Sequence, residues 1–287
     1  MRGMTSASAQ QTLLDKLDTY YDAVPRAAAR VEDHGSLTLF VRTDPGWPYY
    51  ARPTRGASGV VEPADVARVR ARQRELGVPE SFEWVAETTP SLRAAVEASS
   101  GLVIQEHPLM VLPPDAELPA GAAETAVDGV SVRIVGADDP ALAGALAAPR
   151  LAFAAPGTGL GEAGVDQLAA AALETAADGS VARVAARIGA GLTAVGAAVA
   201  DGLALCAGQH QPVGRVSEIV GVGTLPAARR QGLALAVTAA LVTDARARGV
   251  DTVFLSADDE TVARIYARLG FRRIGTALTA EPATADH

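Results

Sequence analysis

Lysine is almost missing from this chain. Lys16 is the only one, and every other basic residue among the 25 is arginine. That excludes a lysine-dependent phosphate loop and any Schiff-base lysine beyond residue 16. Cysteine is equally scarce. Cys206 stands alone, so no intrachain disulfide and no cysteine zinc cluster can form. Its setting, "LALCAG", reads as a buried strand, which assigns the thiol to the core rather than to nucleophilic chemistry. The four histidines, His34, His107, His210 and His287, sit far apart without ligand spacing, so no metal site is expected. Aromatics make up only 4% against 49% hydrophobic residues, so the core must be built from Ala, Val and Leu. Positive charge is not in excess either. The net charge of −8 argues against nucleic acid as a partner and leaves room for a cationic or amine substrate. The opening "MRGMTSASAQQ" lacks the apolar run of a signal peptide. No 18-residue apolar span is free of charges and breakers. A soluble, cytoplasmic protein with no membrane partner is expected, and a homodimer is left open.

With 287 residues there is room for two ordinary domains. The stretch "PPDAELPAGAAETAVDG" (113–129) is rich in Pro, Gly, Ala and acid and has no period, which is a linker composition. It divides the chain into residues 1–125 and 126–287. In the second part "SVRIV" (131–135) is a strand, followed by helical stretches near 138–147 and 163–177. "SVARVAARIGAG" fits helix and strand alike. "TAVGAAVA" (193–200) and "GLALCAG" (202–208) form a hairpin about Asp201-Gly202. "VSEIVGVGT" (216–224) is a further strand. A helix from about 232 to 248 stops at Gly249, "TVFLS" (252–256) is a strand, and "DETVARIYARLG" (259–270) is a helix before "FRRIG" starts the last strand. This order predicts an α/β (α+β) fold with a mixed central sheet flanked by helices.

The first part echoes this order. A helix over 63–78 ends at Gly77, "SFEWVAE" (81–87) is a strand, a helix over 90–101 ends at Gly101, and "LVIQEHPLMVL" (102–112) is extended. The pattern helix–Gly–strand–helix–Gly–strand therefore occurs at 63–105 and again at 232–274, which points to a tandem duplication. The aromatic stretch "PGWPYYARP", with Trp47, Tyr49 and Tyr50, is too broken by proline for helix or central strand and reads as a packed loop.

Two glycine-bearing segments bear on phosphate binding. Gly159, Gly161 and Gly164 match GxGxxG. The preceding "RLAFAAP" is a poor strand and no acidic partner follows, so a nucleotide-linked oxidoreductase is a minor alternative. In "LPAARRQGLALAV" Pro226 closes a strand, Arg229 and Arg230 bring charge, and Gly232 opens a long helix. The first amides of a helix lack partners and the dipole adds positive potential, so an anion is favoured there.

Arg229-x-x-Gly232-x-Ala234 after a strand ending at Pro226 resembles the acyl-CoA pyrophosphate motif (Q/R-x-x-G-x-G/A) of the GNAT N-acetyltransferase superfamily. "DDETVARIYARLGF" (258–271) looks like that family's closing strand and helix, with Asp259 where Asn is usual. The resemblance covers about 130–278 and implies a GNAT fold, with the first half a degenerate GNAT-like unit. It implies acetyl-CoA as co-substrate and an acyltransferase acting on an amine, either a small molecule or a peptide. Backbone amides from Arg230 through Gln231, Gly232, Leu233 and Ala234 would hold the diphosphate, with Arg229 and Arg230 adding charge and Asp259 a further contact. The amide of Val222 would face the thioester oxygen, and Gly223 and Thr224 would pair with the pantetheine arm. Tyr266 aligns with the family's helix tyrosine and is the candidate acid for the departing thiolate. Glu218, early on the same strand as Val222, is the candidate base, and His210, in a "GQHQPVG" turn, is a substrate-loop candidate. "RPTRGASGVVEPAD" carries no such motif, so no acyl-CoA is expected in the first half. The alternative on the same scaffold is a non-catalytic acyl-CoA-binding or interaction module.

Overall fold

A computed structural model of the chain describes residues 2–43, 45, 46, 48–57 and 59–283, with side chains described from residue 8. Trp47 of the aromatic stretch and His287 lie outside the described residues. The chain divides into two compact units, residues 1–109 with 256–259 and 273–287, and residues 110–255 with 260–272.

The first unit opens with helix α1 (Arg2–Arg26), then strands β1 (Ala29–Asp33), β2 (Leu37–Arg42) and β3 (Ala51–Pro53). Helix α2 (Pro63–Leu76) starts on a proline, which needs no N–H partner, and ends at Gly77 in the left-handed region (φ 65°). Strand β4 (Phe82–Val85), helix α3 (Pro90–Ala98) and strand β5 (Leu102–Leu112) follow. One sheet face packs Leu37, Leu39, Ala51, Phe82 and Trp84 against Val66, Val69, Leu92 and Val96 of α2 and α3. The other face is polar at its centre. Arg52 of β3, 3% exposed, lies between Glu83 of β4 (3.3 Å) and Asp18 of α1 (3.6 Å) and over the Tyr21 ring (4.4 Å).

The second unit runs β6 (Val130–Val135), α4 (Leu142–Phe153), α5 (Val165–Ala177), α6 (Ser180–Gly189), β7 (Ala194–Ala200), β8 (Leu203–Val213) and β9 (Val216–Thr224). A 3-10 turn (Pro226–Ala228) leads to α7 (Leu233–Ala247), β10 (Thr252–Ser256) and α8 (Glu260–Ala267). The ambiguous "SVARVAARIG" is helix, its apolar stripe resting on the α4 cluster. Strands β6 to β9 are successively antiparallel and β10 is parallel to β9. Side chains alternate across the sheet. Val195, Ala197 and Ala207 face α4, while Gly196 faces Leu241 of α7. The last strand, β11 (Arg272–Pro282), falls with the first unit, where it pairs antiparallel with β4 from Ala277↔Val85 to Ala280↔Phe82. Parallel and antiparallel pairs both occur within each unit, flanked by helices, as the expected mixed sheet requires.

Candidate active site

The strand β9 loses its regularity where the chemistry was expected. Its register with β8 passes from Gln209↔Val220 to Ala207↔Gly223, so β9 carries one extra residue there, a β-bulge. Gly221 supplies the left-handed backbone this needs (φ 61°). Gly208 leaves room across the bulge, since a Cβ there would come within 2.7 Å of Val222. On its other edge β9 pairs with β10 only from Val216↔Thr252 to Glu218↔Phe254, and then runs on to Thr224. The two parallel strands part after Glu218. Val222, Gly223 and Thr224 thus lie beyond the last β9–β10 pair, on the stretch of β9 where an extended ligand could take the place of a neighbouring strand.

Beyond the strand the chain turns through the 3-10 segment into a tight loop. Arg230 takes a left-handed conformation (φ 66°), uncommon for a residue with a Cβ, and Gly232 follows (φ 79°) as the residue before α7. Left-handed residues in a turn are one way to gather successive amides around an anion. Arg230, Gln231 and Gly232 are exposed, and a Cβ on Gly232 would meet nothing within 4 Å. Leu233 is buried, so only its backbone is available, and Ala234 is half-buried.

Arg229 departs from the expectation. Its guanidinium does not face the open side of the loop; it donates to the carbonyls of Ala152 (2.8 Å), Ala155 (2.5 Å) and Gly159 (3.0 Å). The last carbonyls of a helix lack partners, and a guanidinium with a forked donor set satisfies them. Arg229 therefore ties the end of α4 to the loop. The glycines of the GxGxxG segment serve the same junction. Gly161 N–H donates to the Pro226 carbonyl and Ala227 N–H to the Ala163 carbonyl. Helix α4, not a strand, precedes them, so the dinucleotide reading lacks its strand–turn–helix context.

The two catalytic candidates stand on opposite faces of the sheet. Ser217 points toward α7, through its contact with His210, so Glu218 points to the α4 face, half-buried. Tyr266 of α8 is 8% exposed, packed edge-on against Phe271 and coupled electrostatically to Cys206 on the α7 face. Burial pushes the phenol well above its ordinary range, so its proton is firmly held. Its hydroxyl has no hydrogen-bond partner among the described residues. Cys206 is fully buried, accepts a bond from Thr224 Oγ1 (3.2 Å), and has its pKa pushed up to about 12 by burial, as suits a core thiol.

Other candidates fall elsewhere. His210 is not in a turn: β8 continues to Val213 and the imidazole is fully buried against Ser217 and Asp244. Sequence reading missed this because Gly208 and Pro212 look like turn residues. Asp259 is exposed and belongs to the first unit. Among the described residues no group of three or more His, Cys, Asp or Glu could hold a metal ion, and no helix is long and apolar enough to cross a membrane.

The fold is similar to that of known structures. Residues 194–279 match the family model described as FR47-like protein. No curated protein matches the chain. A GCN5-related N-acetyltransferase from Kribbella flavida is 22% identical, with 95% of this chain and 96% of that chain covered and a TM-score of 0.65. A GCN5-related N-acetyltransferase-like protein from Streptococcus suis 89/1591 is 12% identical over 96% of this chain and 99% of that one, with a TM-score of 0.55. A tandem GNAT protein from the clavulanic acid biosynthesis pathway is 17% identical over 88% and 80%, with a TM-score of 0.52. The chain has the GNAT fold that the resemblance at residues 229–234 and 258–271 implied.

Proposed function

We propose that the second unit binds acetyl-CoA and transfers its acetyl group to an amine of a small molecule or peptide. The observation that carries this is the continuity of one groove-forming segment. A bulged strand parts from its parallel neighbour after Glu218 and leads within a few residues to a glycine-preceded helix N-terminus. An acyl-pantetheine arm is extended and hydrogen-bonds like a strand; a diphosphate suits helix amides. In this reading Val222 N–H faces the thioester oxygen as it becomes an oxyanion, Gly223 and Thr224 pair with the arm, and residues 230–234 hold the diphosphate.

The amine nitrogen attacks the thioester carbon, the C–S bond breaks, and sulfur leaves with the bonding pair. Glu218 receives the proton that the amine gives up, directly or through water. Tyr266 donates a hydrogen bond to the departing sulfur. Because burial strengthens its hold on the proton, stabilisation of the thiolate outweighs full protonation as its contribution.

In this reading the first unit does not bind acyl-CoA. At the start of α2, Asp65 Oδ2 accepts from Glu62 N–H (3.1 Å) and from Ser36 (2.6 Å). Two carboxylates at that helix start repel a diphosphate, which supports a degenerate role for this half.

Calorimetric titration with acetyl-CoA, with NADPH in parallel, tests the cofactor. Release of free CoA thiol with a panel of amines then tests turnover. Micromolar acetyl-CoA binding with turnover supports the transferase; binding without turnover for any amine would favour an acyl-CoA-binding module; NADPH binding alone would overturn both.

A further inference from the structure

A buried histidine has two ring nitrogens to satisfy. His210 satisfies both with side chains from neighbouring elements. Nδ1 lies 2.9 Å from Ser217 Oγ on β9 and Nε2 lies 2.8 Å from Asp244 Oδ2 on α7. Asp244 also accepts from Arg248 Nε at 2.5 Å, and Thr193 Oγ1 donates to the His210 carbonyl at 3.2 Å. Although burial works against it, hydrogen bonds from Arg248 and His210 hold Asp244 below the usual carboxylate range. Burial also pushes the imidazole below its ordinary range, against the pull of Asp244. An ionised carboxylate only accepts, so Nε2 carries the hydrogen and Nδ1 accepts the Ser217 hydroxyl.

Ser, His and Asp are the residue types of a nucleophilic triad, yet Ser217 and His210 are both fully buried and no substrate reaches the hydroxyl. The arrangement joins β8, β9 and α7. Strand β9 carries the amides assigned to the thioester arm, and the N-terminus of α7 carries those assigned to the diphosphate. Leu241 and Val237 of α7 pack into the space that Gly196 leaves, so apolar contacts already hold the helix on the sheet. The hydrogen bonds through His210 add a directional tie to β9 that apolar contacts do not provide.

We propose that His210 is a positioning residue: it locks α7 to β9 and so sets the spacing between the two ends of the acetyl-CoA groove. This rests on the acetyl-CoA reading above. A ligand held at both ends feels an error in spacing; a ligand held at one end does not. The test titrates wild type, His210→Ala and Ser217→Ala with acetyl-CoA and with 3′-phosphoadenosine 5′-diphosphate, the nucleotide half of CoA. Circular dichroism checks that each variant is folded. Losing one buried bond in Ser217→Ala should weaken acetyl-CoA about fivefold, and losing both in His210→Ala about thirtyfold, the conversion of roughly 1 kcal/mol per bond. The nucleotide half should bind all three proteins equally. Parallel losses for both ligands would reduce His210 to a general stabiliser and overturn the proposal, as would unchanged acetyl-CoA affinity. Should His210→Ala fail to fold, Ser217→Ala decides alone. Wild type binding neither ligand would sink the acetyl-CoA reading, and the proposal with it.

Discussion

Gly223 shows how little space single residues of the site have. A Cβ there would lie 2.6 Å from Pro149 Cα and 2.9 Å from Ala152 Cβ, both on α4. Neither atom can move without displacing the helix, so Gly223→Ala should cost about 1–3 kcal/mol by overpacking, seen as a lower melting temperature. Gly232 is the opposite case: space is open and the backbone is left-handed. Gly232→Ala adds only strain, about 1–2 kcal/mol, whereas Gly232→Glu also places negative charge on the diphosphate. Titration should find acetyl-CoA binding weakened in the first and lost in the second. Tyr266→Phe removes one hydroxyl and keeps the ring against Phe271. Turnover should fall about 100-fold with cofactor affinity unchanged; wild-type turnover would return Tyr266 to the core. At this scale the family resemblance singled out Gly232 and Tyr266, which lie just before α7 and on α8. The sequence also carried an unread signal, since a glycine within the strand "SEIVGVGT" marks a bulge. The side-chain partners of Arg229 were not legible, because they are carbonyls about 70 residues away in a helix whose end no local pattern locates.

Elements of the second unit were easier to read than those of the first. "VSEIVGVGT" is bounded by turn residues and is strand over its whole length, and Gly249 ends α7 as expected. "SVARVAARIG" satisfied periods of two and of 3.6, and only its packing on α4 decided for helix. Helix α1 escaped notice because its alanines, serines and polar residues form a weak apolar stripe, and β2 because one short run "LTLFVR" gives no repeat to compare. Leu14, Leu17, Tyr20 and Tyr21 of α1 are nonetheless buried, and a charged contact through Asp18 adds to them. Arg52 compensates Asp18 and Glu83, both of which burial pushes above the ordinary carboxylate range. Arg52→Leu leaves two buried negative charges, a loss of about 3–5 kcal/mol. Protonation relieves that charge, so the defect should be greatest near neutral pH and shrink toward pH 5. Urea unfolding at both pH values measures it, and a defect growing toward acid would contradict the assignment.

At the scale of the whole molecule, the duplication was legible as a repeated order of elements, and the structure has that order: α2–β4–α3–β5 and α7–β10–α8–β11. The destination of β11 was not legible, because strand pairing is a long-range choice and "FRRIG" is silent about its partner. The compact units do not follow a single cut. The segment 113–129 falls with the second unit, and residues 273–287 fall with the first. A fragment of residues 1–125 therefore lacks the strand that pairs with β4, and its core lacks Leu278 and Ala280. It should be unfolded or aggregate when expressed alone, an outcome visible by size exclusion, and adding residues 273–287 as a peptide should recover part of it.

The same pairing orders events during synthesis. The first unit leaves the ribosome first, yet the strand that closes it is made last. Its β4 edge stays bare while roughly 190 further residues are translated, on the order of ten seconds or more at common elongation rates. The first unit is thus the one whose completion waits for β11. Ribosome-bound chains arrested before residue 273 offer the moment at which a chaperone has something to hold.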